Sequence, residues 1–395
     1  MKNTYAIIGA GMQGTAAAYD LAKFADPKKI KMGDRCLEQA TKNAWRVNDL
    51  VGNAVCEPFE LDALDEKALT AFLTDVDVAI SCVPYWMHPK IAKVAVSTKT
   101  SMVDLGGNTE ITLETLKLDE AARAASVTLV PDTGLAPGLV NSLGLYLIEQ
   151  MDEVDSIQLY CGVLPQNPQP PFNYKLTFNV EGLVTEYDFQ AVTVRDGEIH
   201  LVDTLSELEA LHVEELGQME AFTTSGGTST APYTLKDRVR NYEYKTIRFP
   251  GHCERIKIFK DFGFWSEESV VVNGSEVRPR ELFYKVFGKA LEQYEDKDQC
   301  VVRAVGRGTK DGKPYSAQID IFDKEDEVTG FTSMERLTGF SAAIFAREIA
   351  EGHVERGALR YENALTGAKF VSEITKRGIA LRNSTPVAAS HAELL

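Results

Sequence analysis

The segment YAIIGAGMQGTAAAYDLA, residues 5–22, constrains the fold of this chain more than any other stretch. A β-branched run is followed at once by Gly9, Gly11 and Gly14, and then by a pattern typical of a helix. In such a unit the first glycine permits a tight turn, the second lets a pyrophosphate approach the backbone, and the third lets helix and strand pack closely. The amides at the helix N-terminus then stabilise the phosphates. The segment therefore predicts a dinucleotide-binding βα unit.

The same strand-then-helix pattern repeats through the first 130 residues. Short, nearly continuous apolar runs, each placed between helical patterns, are YAIIG, KIKMGD, AVCEPFEL, VDVAISCV, SMVDLGG and VTLVP. Alternation of this kind predicts a parallel sheet that is covered by helices on both faces. The fold class expected for this part is therefore α/β, a Rossmann-type doubly wound parallel sheet.

After PDTGLAPG, residues 131–138, the pattern changes to longer strands in which polar and apolar residues alternate. Tight turns are predicted at Asp196-Gly197 and Asp311-Gly312, because an Asp-Gly dipeptide favours a hairpin. Further predicted strands include NYKLTFNV at 173–180 and EVTGFTSMERL at 327–337. These features predict an α+β second domain with a largely antiparallel sheet.

The change of pattern also predicts the domain boundaries. We expect an NAD-binding Rossmann domain at residues 1–135 and a substrate-binding and dimerisation domain at residues 136–337. A helix is predicted at 338–351, TGFSAAIFAREIAE, and the segment of about 338–382 is expected to pack back on the first domain. Residues 383–395 lack periodicity and are expected to form a loose tail.

Composition argues against several classes of function. The 395 residues include 42 Lys and Arg against 58 Asp and Glu, which disfavours nucleic-acid binding because phosphate neutralisation requires clustered positive charge. No apolar run approaches the roughly 20 residues of a membrane span, and the chain starts without the features of a secretory signal. The six cysteines are widely spaced and form no zinc pattern. We therefore expect a cytoplasmic protein with reduced thiols, no bound metal and no membrane or nucleic-acid partner.

Residues at the carboxyl ends of the predicted parallel strands are expected to line the cofactor. Asp34 ends the second of these strands, where a carboxylate bonds the ribose hydroxyls and repels a 2′-phosphate, so that NAD is favoured. NADP stays open as an alternative, because the guanidinium of Arg35 could accommodate that phosphate. The predicted cofactor-binding residues are Gly9, Gly11, Met12, Gln13, Gly14, Asp34, Arg35, Asp62, Cys82, Val83, Pro84, Leu105, Gly106 and Gly107.

Several motifs resemble those of the saccharopine dehydrogenase-like oxidoreductases, over about residues 3–380. The motifs shared across that superfamily are GAGMQG at 9–14, DLGG at 104–107 and GLAPG at 134–138. Three others resemble the lysine 6-dehydrogenases within it: PPFNYKLTFNVEGLVTEY at 170–187, EAFTTSGGTST at 220–230 and YKTIRFPGH at 244–252.

The resemblance has consequences for activity and assembly. It implies NAD-dependent oxidation of the ε-amino group of L-lysine to allysine, which cyclises to piperideine-6-carboxylate, with release of ammonia and NADH. It also implies a homodimer, or a larger homo-oligomer, that forms through the sheet of the second domain. Within SCVPYWMH, residues 81–88, Tyr85 is the residue that the resemblance carries over.

The motif NYEYKTIRFPGH, residues 241–252, places cationic side chains in an acidic chain. The planar guanidinium of Arg248 suits a bidentate grip on the α-carboxylate of an amino acid, and Lys245 and Thr246 are expected to support it. His252 is predicted at the first turn of a helix, where an imidazole tends to stay neutral and able to accept a proton. A structural ion pair for Arg248, and a surface or core position for His252, are the alternatives.

The ammonium groups of such a substrate need acceptors. Asp104 at a strand end, Glu181 in FNVEGLV and Asp132 are the carboxylate candidates, and a helix cap or a solvated acid is the alternative for each. Tyr85 is predicted to hydrogen-bond to the substrate or to relay a proton, with a packed aromatic as the alternative. His252, Tyr85 and Asp104 are thus the predicted catalytic residues.

A glycine-rich segment, TTSGGTST at 223–230, follows in the second domain. It lacks the lysine of a phosphate-binding loop, and we expect it to cover the substrate as a flexible loop, with Ser225 or Thr228 bonding to the substrate. A plain connecting loop is the alternative.

Two other functions stay open at this point. A reductase of the saccharopine or carboxynorspermidine type would act on a secondary amine with more carboxylates, and would need arginines beyond Arg248, such as Arg238 or Arg240. A non-catalytic NAD-binding scaffold is the second alternative, because related folds do lose their catalysis.

Overall fold

The fold is described from a computed structural model, which covers residues 2–177, 180–292 and 296–384. The strands, in chain order, are β1 Thr4–Ile8, β2 Lys29–Asp34, β3 Cys56–Glu60, β4 Val78–Ser81, β5 Ser101–Asp104, β6 Thr128–Val130, β7 Glu153–Pro165, β8 Gln190–Arg195, β9 Glu198–Asp203, β10 Glu209–Val213, β11 Gly217–Thr223, β12 Val239–Arg248, β13 Val270–Val272, β14 Ser275–Val277, β15 Asp298–Lys310, β16 Lys313–Lys324, β17 Gly357–Ala358 and β18 Arg382–Ser384.

Helices alternate with the first strands and are more sparse afterwards. In chain order they are α1 Met12–Phe24, α2 Leu37–Val51, α3 Glu66–Leu73, α4 His88–Ser97, α5 Thr109–Leu116, α6 Asp119–Ala125, α7 Leu139–Ile148, α8 Val180–Asp188, α9 Ala231–Leu235, α10 His252–Asp261, α11 Pro279–Glu292, α12 Ser333–Ala350, α13 Tyr361–Ala364 and α14 Gly367–Lys376. None of the helices in these ranges is long and apolar enough to cross a membrane.

The described chain divides into two compact units. Unit 1 comprises the residues up to Gln150 together with Ser229–Thr234 and Asp326–Ile379. Unit 2 comprises Met151–Thr228, Leu235–Glu325 and the described residues from Ala380 onward.

Unit 1 contains a parallel sheet with the strand order β17-β6-β5-β4-β1-β2-β3. Every residue of β1, β4 and β5 is buried, as expected for strands that are covered on both faces. The order reverses between β1 and β4, which is the arrangement of a doubly wound nucleotide-binding sheet. The predicted Rossmann-type α/β class is therefore confirmed.

The later helix α12 packs directly on α1. A Cβ placed at Gly339 would lie 2.8 Å from the Cβ of Ala16 and 2.8 Å from the amide nitrogen of Ala17, so the two helix backbones approach closely. Small residues on both helices make this close approach possible. The contact with α12 thus helps to fix α1, whose N-terminus lies at the end of β1.

Unit 2 contains a mixed sheet with the order β10-β11-β12-β7-β15-β16-β18, to which β8 and β9 are attached. β12 pairs with β7 in parallel, and the other described pairs of this sheet are antiparallel. The predicted largely antiparallel second sheet is thus confirmed. The two expected hairpin turns also form, with φ of +50° and +81° at Asp196-Gly197 and of +51° and +67° at Asp311-Gly312.

Two predicted strands are wrong. Residues 327–329 form a turn, and α12 begins at Ser333 because Thr332 and Glu335 make a reciprocal capping box that starts a helix there. In the segment predicted as a strand at 173–180, residues 173–177 are not extended in a sheet, 178 and 179 lie outside the described residues, and α8 begins at Val180.

The two compact units differ in their boundaries from the predicted domains. α7 belongs to unit 1, where a Cβ at Gly367 of α14 would lie 2.1 Å from the amide nitrogen of Tyr146. The returning segment starts at Asp326, before the predicted position 338. β18 pairs with β16 up to Ser384, and the remainder of the predicted tail, 385–395, lies outside the described residues. The roles assigned to the two domains stay predictions.

Candidate functional site

The turn after β1 lies where the strand order of the unit 1 sheet reverses, between β2 on one side and β4 on the other. Gly9 has a φ of +96°, in the region that favours glycine. A Cβ at Gly9 would lie 2.9 Å from the carbonyl oxygen of Cys82 and 3.1 Å from Cγ1 of Val83. The predicted cofactor residues at the ends of β1 and β4 are therefore in direct contact, at the position where doubly wound sheets bind their ligands.

The other two glycines of the loop differ in their surroundings. A Cβ at Gly14 would lie only 2.1 Å from the carbonyl oxygen of Gly9, whereas a Cβ at Gly11 would meet nothing within 4 Å. α1 begins at Met12 without a side-chain cap and without an acidic residue in its first turn. The first N–H groups of α1 therefore remain able to bind an anion. They lie next to the open side of Gly11 and to Met12 and Gln13, which are partly exposed. These residues fit the pyrophosphate of a dinucleotide.

Asp34 and Arg35 lie at the adjacent strand end. Asp34 ends β2, and its Oδ1 accepts a hydrogen bond from the Cys36 amide at 3.0 Å. Arg35 is exposed. Asp62, after β3, is exposed as well, and its Oδ1 accepts from the Leu64 amide at 2.9 Å, so part of its capacity serves a local turn. All three predicted residues lie at the carboxyl edge of the sheet, as expected.

The loops after β4 and β5 meet at Tyr85. Pro84 is exposed and precedes a single 3-10 turn, Tyr85–Met87. A Cβ at Gly107 would lie 3.0 Å from Cβ of Tyr85, so the glycine lets the half-buried tyrosine pack against this loop. Leu105 borders the same loop, because its carbonyl oxygen lies 2.7 Å from where a Cβ of Gly134 would be. Tyr85 thus lies beside the predicted cofactor residues.

Asp104 is buried, and its side chain already accepts hydrogen bonds from backbone amides. Its Oδ1 accepts from the amide of Gly106 at 2.9 Å and from the amide of Asp132 at 3.0 Å. Its carbonyl oxygen accepts from the amide of Thr133 at 2.9 Å. The carboxylate therefore joins the loops that follow β5 and β6, and a direct role in the chemistry stays a prediction for Asp104.

One buried histidine in this region is absent from the predicted site. His88 is the first residue of α4, is 2% exposed, and has its Nδ1 3.1 Å from the hydroxyl of Ser81. Burial lowers the pKa of His88, while the nearby Asp104 carboxylate and the Gly106 backbone oppose that shift. His88 lies only seven residues after Ser81 in the segment SCVPYWMH, and its closeness to Tyr85 in the sequence is the signal that could have identified it. Burial also raises the pKa of the Cys82 thiol, which argues against a nucleophilic role.

Unit 2 buries a guanidinium. Arg248, at the end of β12, is 4% exposed. Its Nε donates to the hydroxyl of Tyr187 at 3.1 Å, and one terminal nitrogen donates to the carbonyl of Ile247 at 3.0 Å. The guanidinium lies 5.1 Å from the ring centroid of Tyr174, and its other terminal nitrogen lies 3.7 Å from a carboxylate oxygen of Glu186. A cation and a carboxylate thus lie side by side in an aromatic environment.

The carboxylate of this cluster is Glu186 and not the predicted Glu181. Glu181 is exposed on α8, whereas Leu183, Val184 and Tyr187 form the buried side of that helix. Desolvation raises the pKa of Glu186 to about 7 while Arg248 lowers it, and about a third of the side chain, 33%, stays accessible. Helical periodicity separates the two glutamates, but the sequence does not predict α8, since the predicted strand at 173–180 ends where that helix begins.

His252 begins α10, as predicted, and is 1% exposed. Its Nε2 lies 3.2 Å from the Tyr187 hydroxyl and its Nδ1 3.4 Å from the Phe172 carbonyl oxygen. Burial, with help from Arg248, lowers the pKa of His252 to about 3, which keeps the imidazole neutral. A base with such a low pKa accepts protons poorly near neutrality, so the geometry favours an orienting role over proton abstraction.

The helix N-terminus contributes less to this neutrality than we expected. Glu220 caps α10, because its two carboxylate oxygens accept from the amides of Gly251 and Cys253, both at 2.6 Å. An anion therefore compensates the positive end of the helix beside His252, and burial is the dominant cause of the lowered pKa.

Lys245 does not belong to the Arg248 cluster. Successive residues of a strand point to opposite faces, so Lys245 lies on the other face of β12. Its Nζ donates to the carbonyl of Glu207 at 3.0 Å and lies 3.4 Å from a carboxylate oxygen of Glu209. Thr246 shares the face of Arg248, but its hydroxyl lies 2.7 Å from that of Thr224. The expected support of Arg248 by Lys245 is therefore corrected.

The predicted covering loop is packed inside the protein. Residues 223–230 are buried except for the half-buried Gly226. The hydroxyl of Ser225 donates to the carbonyl of Thr185 at 2.9 Å, and the hydroxyl of Thr228 donates to the carbonyl of Val192 at 2.8 Å. Both hydroxyls bond to backbone carbonyl groups. The expectation of a flexible loop that bonds to the substrate is therefore corrected: the segment is structural.

Two family models together match most of the chain. Residues 5–130 match the saccharopine dehydrogenase NADP binding domain, and residues 134–379 match the saccharopine dehydrogenase C-terminal domain.

Curated relatives carry related names. Saccharopine dehydrogenase (NADP(+), L-glutamate-forming) of Pyricularia oryzae is 26% identical over 249 residues, which are 61% of this chain and 53% of that protein. Alpha-aminoadipic semialdehyde synthase of Bos taurus is 28% identical over 363 residues, which are 74% of this chain and 39% of that protein. The chain thus spans about half, or less, of the length of these relatives.

Solved structures share the fold. Apo saccharopine dehydrogenase (L-Glu forming) from Saccharomyces cerevisiae has a TM-score of 0.75 at 20% identity, over 98% of this chain and 100% of that one. The homospermidine synthase of Legionella pneumophila, solved with NAD, has a TM-score of 0.65 at 11% identity, over 98% and 92%. At these identities the likeness shows the fold alone.

Proposed function

The chain belongs to the saccharopine dehydrogenase family, and from this premise we propose that it is an oxidoreductase that oxidises a carbon–nitrogen bond of an amino acid with a nicotinamide dinucleotide. The glycine loop, with its open side at Gly11 and its uncapped helix start, supports the dinucleotide. The names of the relatives support the class of bond.

L-Lysine is the substrate that we propose, and the Arg248–Glu186 pair is the observation that carries it. An α-amino acid bears a carboxylate and an ammonium on one carbon, so its recognition calls for a cation and an anion side by side. Arg248 and Glu186 lie 3.7 Å apart in a cluster with aromatic side chains. Arg248 would grip the α-carboxylate and Glu186 would accept the α-ammonium. Tyr187 and His252 would hold the guanidinium in place.

The reaction that follows is an oxidative deamination of the ε-amine. The dinucleotide, when bound, accepts the hydride from the ε-carbon. A lysine amine is mostly protonated near neutrality, with a pKa of about 10.4, so the protein must first take a proton from it. Tyr85, half-buried against Gly107, is our candidate for relaying that proton, and Asp104 would hold the loops around it. Water adds to the resulting imine, ammonia leaves, and the aldehyde allysine cyclises to piperideine-6-carboxylate.

A saccharopine dehydrogenase of the L-glutamate-forming type is the second candidate. The names of the relatives favour it. That substrate is a secondary amine with more carboxylates, and its oxidation releases glutamate where lysine oxidation releases ammonia. The described cluster offers one guanidinium, Arg248, while Arg240 is exposed and pairs with Asp196. The smaller substrate therefore suits the cluster better.

A panel of amines tests the proposal directly. L-Lysine, L-ornithine and saccharopine are each offered with NAD and with NADP, and reduced cofactor, ammonia and glutamate are measured. We expect reduced cofactor and ammonia from lysine in equal amounts. Glutamate formed from saccharopine, with lysine inert, would favour the second candidate, and dinucleotide binding without turnover of any amine would favour a non-catalytic scaffold.

The proposed cofactor is NAD, with Asp34 as the residue that selects it. Its carboxylate would bond the ribose hydroxyls and repel a 2′-phosphate, whereas the family description of residues 5–130 names NADP and the exposed Arg35 suits that phosphate. We expect Asp34→Ser to improve NADP relative to NAD by about tenfold or more, a change of about 1.4 kcal/mol. Arg35→Ala is the matched variant and should leave NAD kinetics unchanged. A wild type that prefers NADP, and loses that preference in Arg35→Ala, would reverse the assignment.

We also propose that the chain works as a homodimer or larger homo-oligomer in the cytoplasm. All six cysteines are unpaired thiols in the described chain, which suits a reducing compartment. Light scattering coupled to size-exclusion chromatography measures the assembly, and a monomer at micromolar concentration would overturn that part of the proposal.

A further inference from the structure

A short segment of the chain, Ser229–Thr234, belongs to unit 1 although the residues on both sides of it belong to unit 2. Its hydroxyl groups bond to two buried carboxyl groups. Thr230 and Thr234 donate to the two oxygens of Glu362, at 2.9 and 2.7 Å. The hydroxyl of Ser229 donates to Oδ2 of Asp132. The segment is therefore fixed by two separate contacts of the same chemical kind.

Asp132 has an unusual environment. It is 1% exposed, and its φ of +66° lies in a region that residues other than glycine rarely adopt. Its amide donates to Oδ1 of Asp104 at 3.0 Å, and its own Oδ1 accepts from the hydroxyl of Thr112 at 3.0 Å. The amide and the two carboxyl oxygens of Asp132 thus bond to three different parts of unit 1. These bonds hold the strained backbone of the residue in place.

Asp132 also lies directly against the Gly106–Gly107 turn. A Cβ at Gly106 would come within 2.5 Å of Oδ1 of Asp132, so only a glycine lets the turn lie on this carboxyl group. Gly106 itself has a φ of +78°, and its amide is bonded to the same Asp104 oxygen that holds Asp132. The Asp132 carboxyl group and the turn are therefore in direct contact, and the position of one restricts the position of the other.

We propose that Asp132 and Ser229 are positioning residues for the nicotinamide end of the cofactor site, because together they fix the shape of the Gly106–Gly107 turn. The inference rests on the proposed function, which places this turn beside the dinucleotide. Neither residue is required to touch the cofactor or the substrate.

The protonation of Asp132 is consistent with this role. Burial, together with the charge of Asp104, raises the pKa of Asp132 to about 8, and the hydroxyls of Ser229 and Thr112 oppose the shift. Glu362 on α13 is the other acidic group that faces it. Near neutral pH the carboxyl group then carries a proton, and the hydroxyl of Ser229 or Thr112 that meets the protonated oxygen accepts instead of donating, as it would beside the amide of an asparagine.

The segment supplies its own control. Thr230 is as deeply buried as Ser229 and belongs to the same segment, but it bonds to Glu362, which is not among the groups nearest Gly106. Thr230→Val should therefore lower the stability of the protein without changing the turn. Ser229→Ala and Asp132→Ala remove the proposed contact, and Asp132→Asn keeps its hydrogen-bonding pattern.

The first measurement is amide hydrogen exchange of residues 104–108 in the cofactor-free protein. We expect exchange to be about tenfold faster in Ser229→Ala and Asp132→Ala, as expected for the loss of one buried hydrogen bond, and unchanged in Thr230→Val. Asp132→Asn should stay within about twofold of the wild type at pH 7. If Ser229→Ala and Thr230→Val exchange alike, the inference is wrong.

The second measurement is the affinity for NADH, from its fluorescence, together with kcat and KM. We expect Ser229→Ala to weaken NADH binding and lower kcat by about fivefold to tenfold, with the KM for the amine unchanged. Wild-type NADH affinity and kcat in both Ser229→Ala and Asp132→Ala would overturn the inference. A wild type that binds NADH but oxidises no amine would overturn the proposed function alone, since the exchange measurement needs no substrate.

Discussion

Arg248 is the residue on which the substrate half of the proposal depends. Arg248→Lys keeps the charge but loses the planar fork, so the bidentate grip on a carboxylate should be lost. We expect the KM for lysine to rise about tenfold or more and kcat to change less than about threefold, because the lost contact is made in both ground and transition states. Arg240→Lys, on the same strand but exposed and paired with Asp196, is the matched control. Equal kinetics of the two variants would remove Arg248 from the site.

His252 gives a prediction about pH and stability. The unfolded chain binds a proton at this histidine below a pKa of about 6.5, whereas the folded protein does so only near 3. Acidification from pH 6.5 toward 3 therefore favours the unfolded chain, at about 1 kcal/mol per pH unit. His252→Gln should show a shallower fall of the urea midpoint between pH 6.5 and 5 than the wild type. An unchanged slope would mean that the imidazole takes up its proton in the folded state.

At the scale of elements, two glycines of the first βα unit allow protein stability and dinucleotide binding to be tested separately. Gly14→Ala would place a Cβ 2.1 Å from the Gly9 carbonyl oxygen, so we expect a loss of about 1–3 kcal/mol of stability. Gly11→Ala meets no protein atom within 4 Å and should keep the wild-type urea midpoint, but weaken dinucleotide binding by about tenfold or more. Urea titrations and NADH fluorescence measure the two effects. Wild-type affinity in a stable Gly11→Ala protein would place the phosphates elsewhere.

Local signals predicted some elements well and others not. The glycine loop and the Asp-Gly hairpins are set by backbone conformations that few residues adopt, so the sequence shows them directly. The capping box Thr332–Glu335 is also a local signal, and it starts α12 inside the segment predicted as a strand at 327–337. Strand alternation separates Lys245 from Arg248, so the expected support of one by the other conflicts with the two-residue period of the strand.

At the scale of the whole molecule, the parallel first sheet and the largely antiparallel second sheet followed from the periodicity of the sequence, whereas the parallel pairing of β12 with β7 did not. Contacts between distant segments did not, because no local pattern encodes them. The bond from Ser229 to Asp132, 97 residues away, arises this way. The network that surrounds the proposed cofactor turn could therefore be found only in the folded structure.

The whole chain is proposed to be an amine dehydrogenase, and one measurement tests that claim most directly. Purified protein is given L-lysine and NAD, and the absorbance of NADH at alkaline pH is followed while ammonia is measured in the same samples. The account predicts NADH and ammonia in a one-to-one ratio, with little reaction from saccharopine. Steady reduction of cofactor by saccharopine, with glutamate as the product and lysine inert, would contradict it.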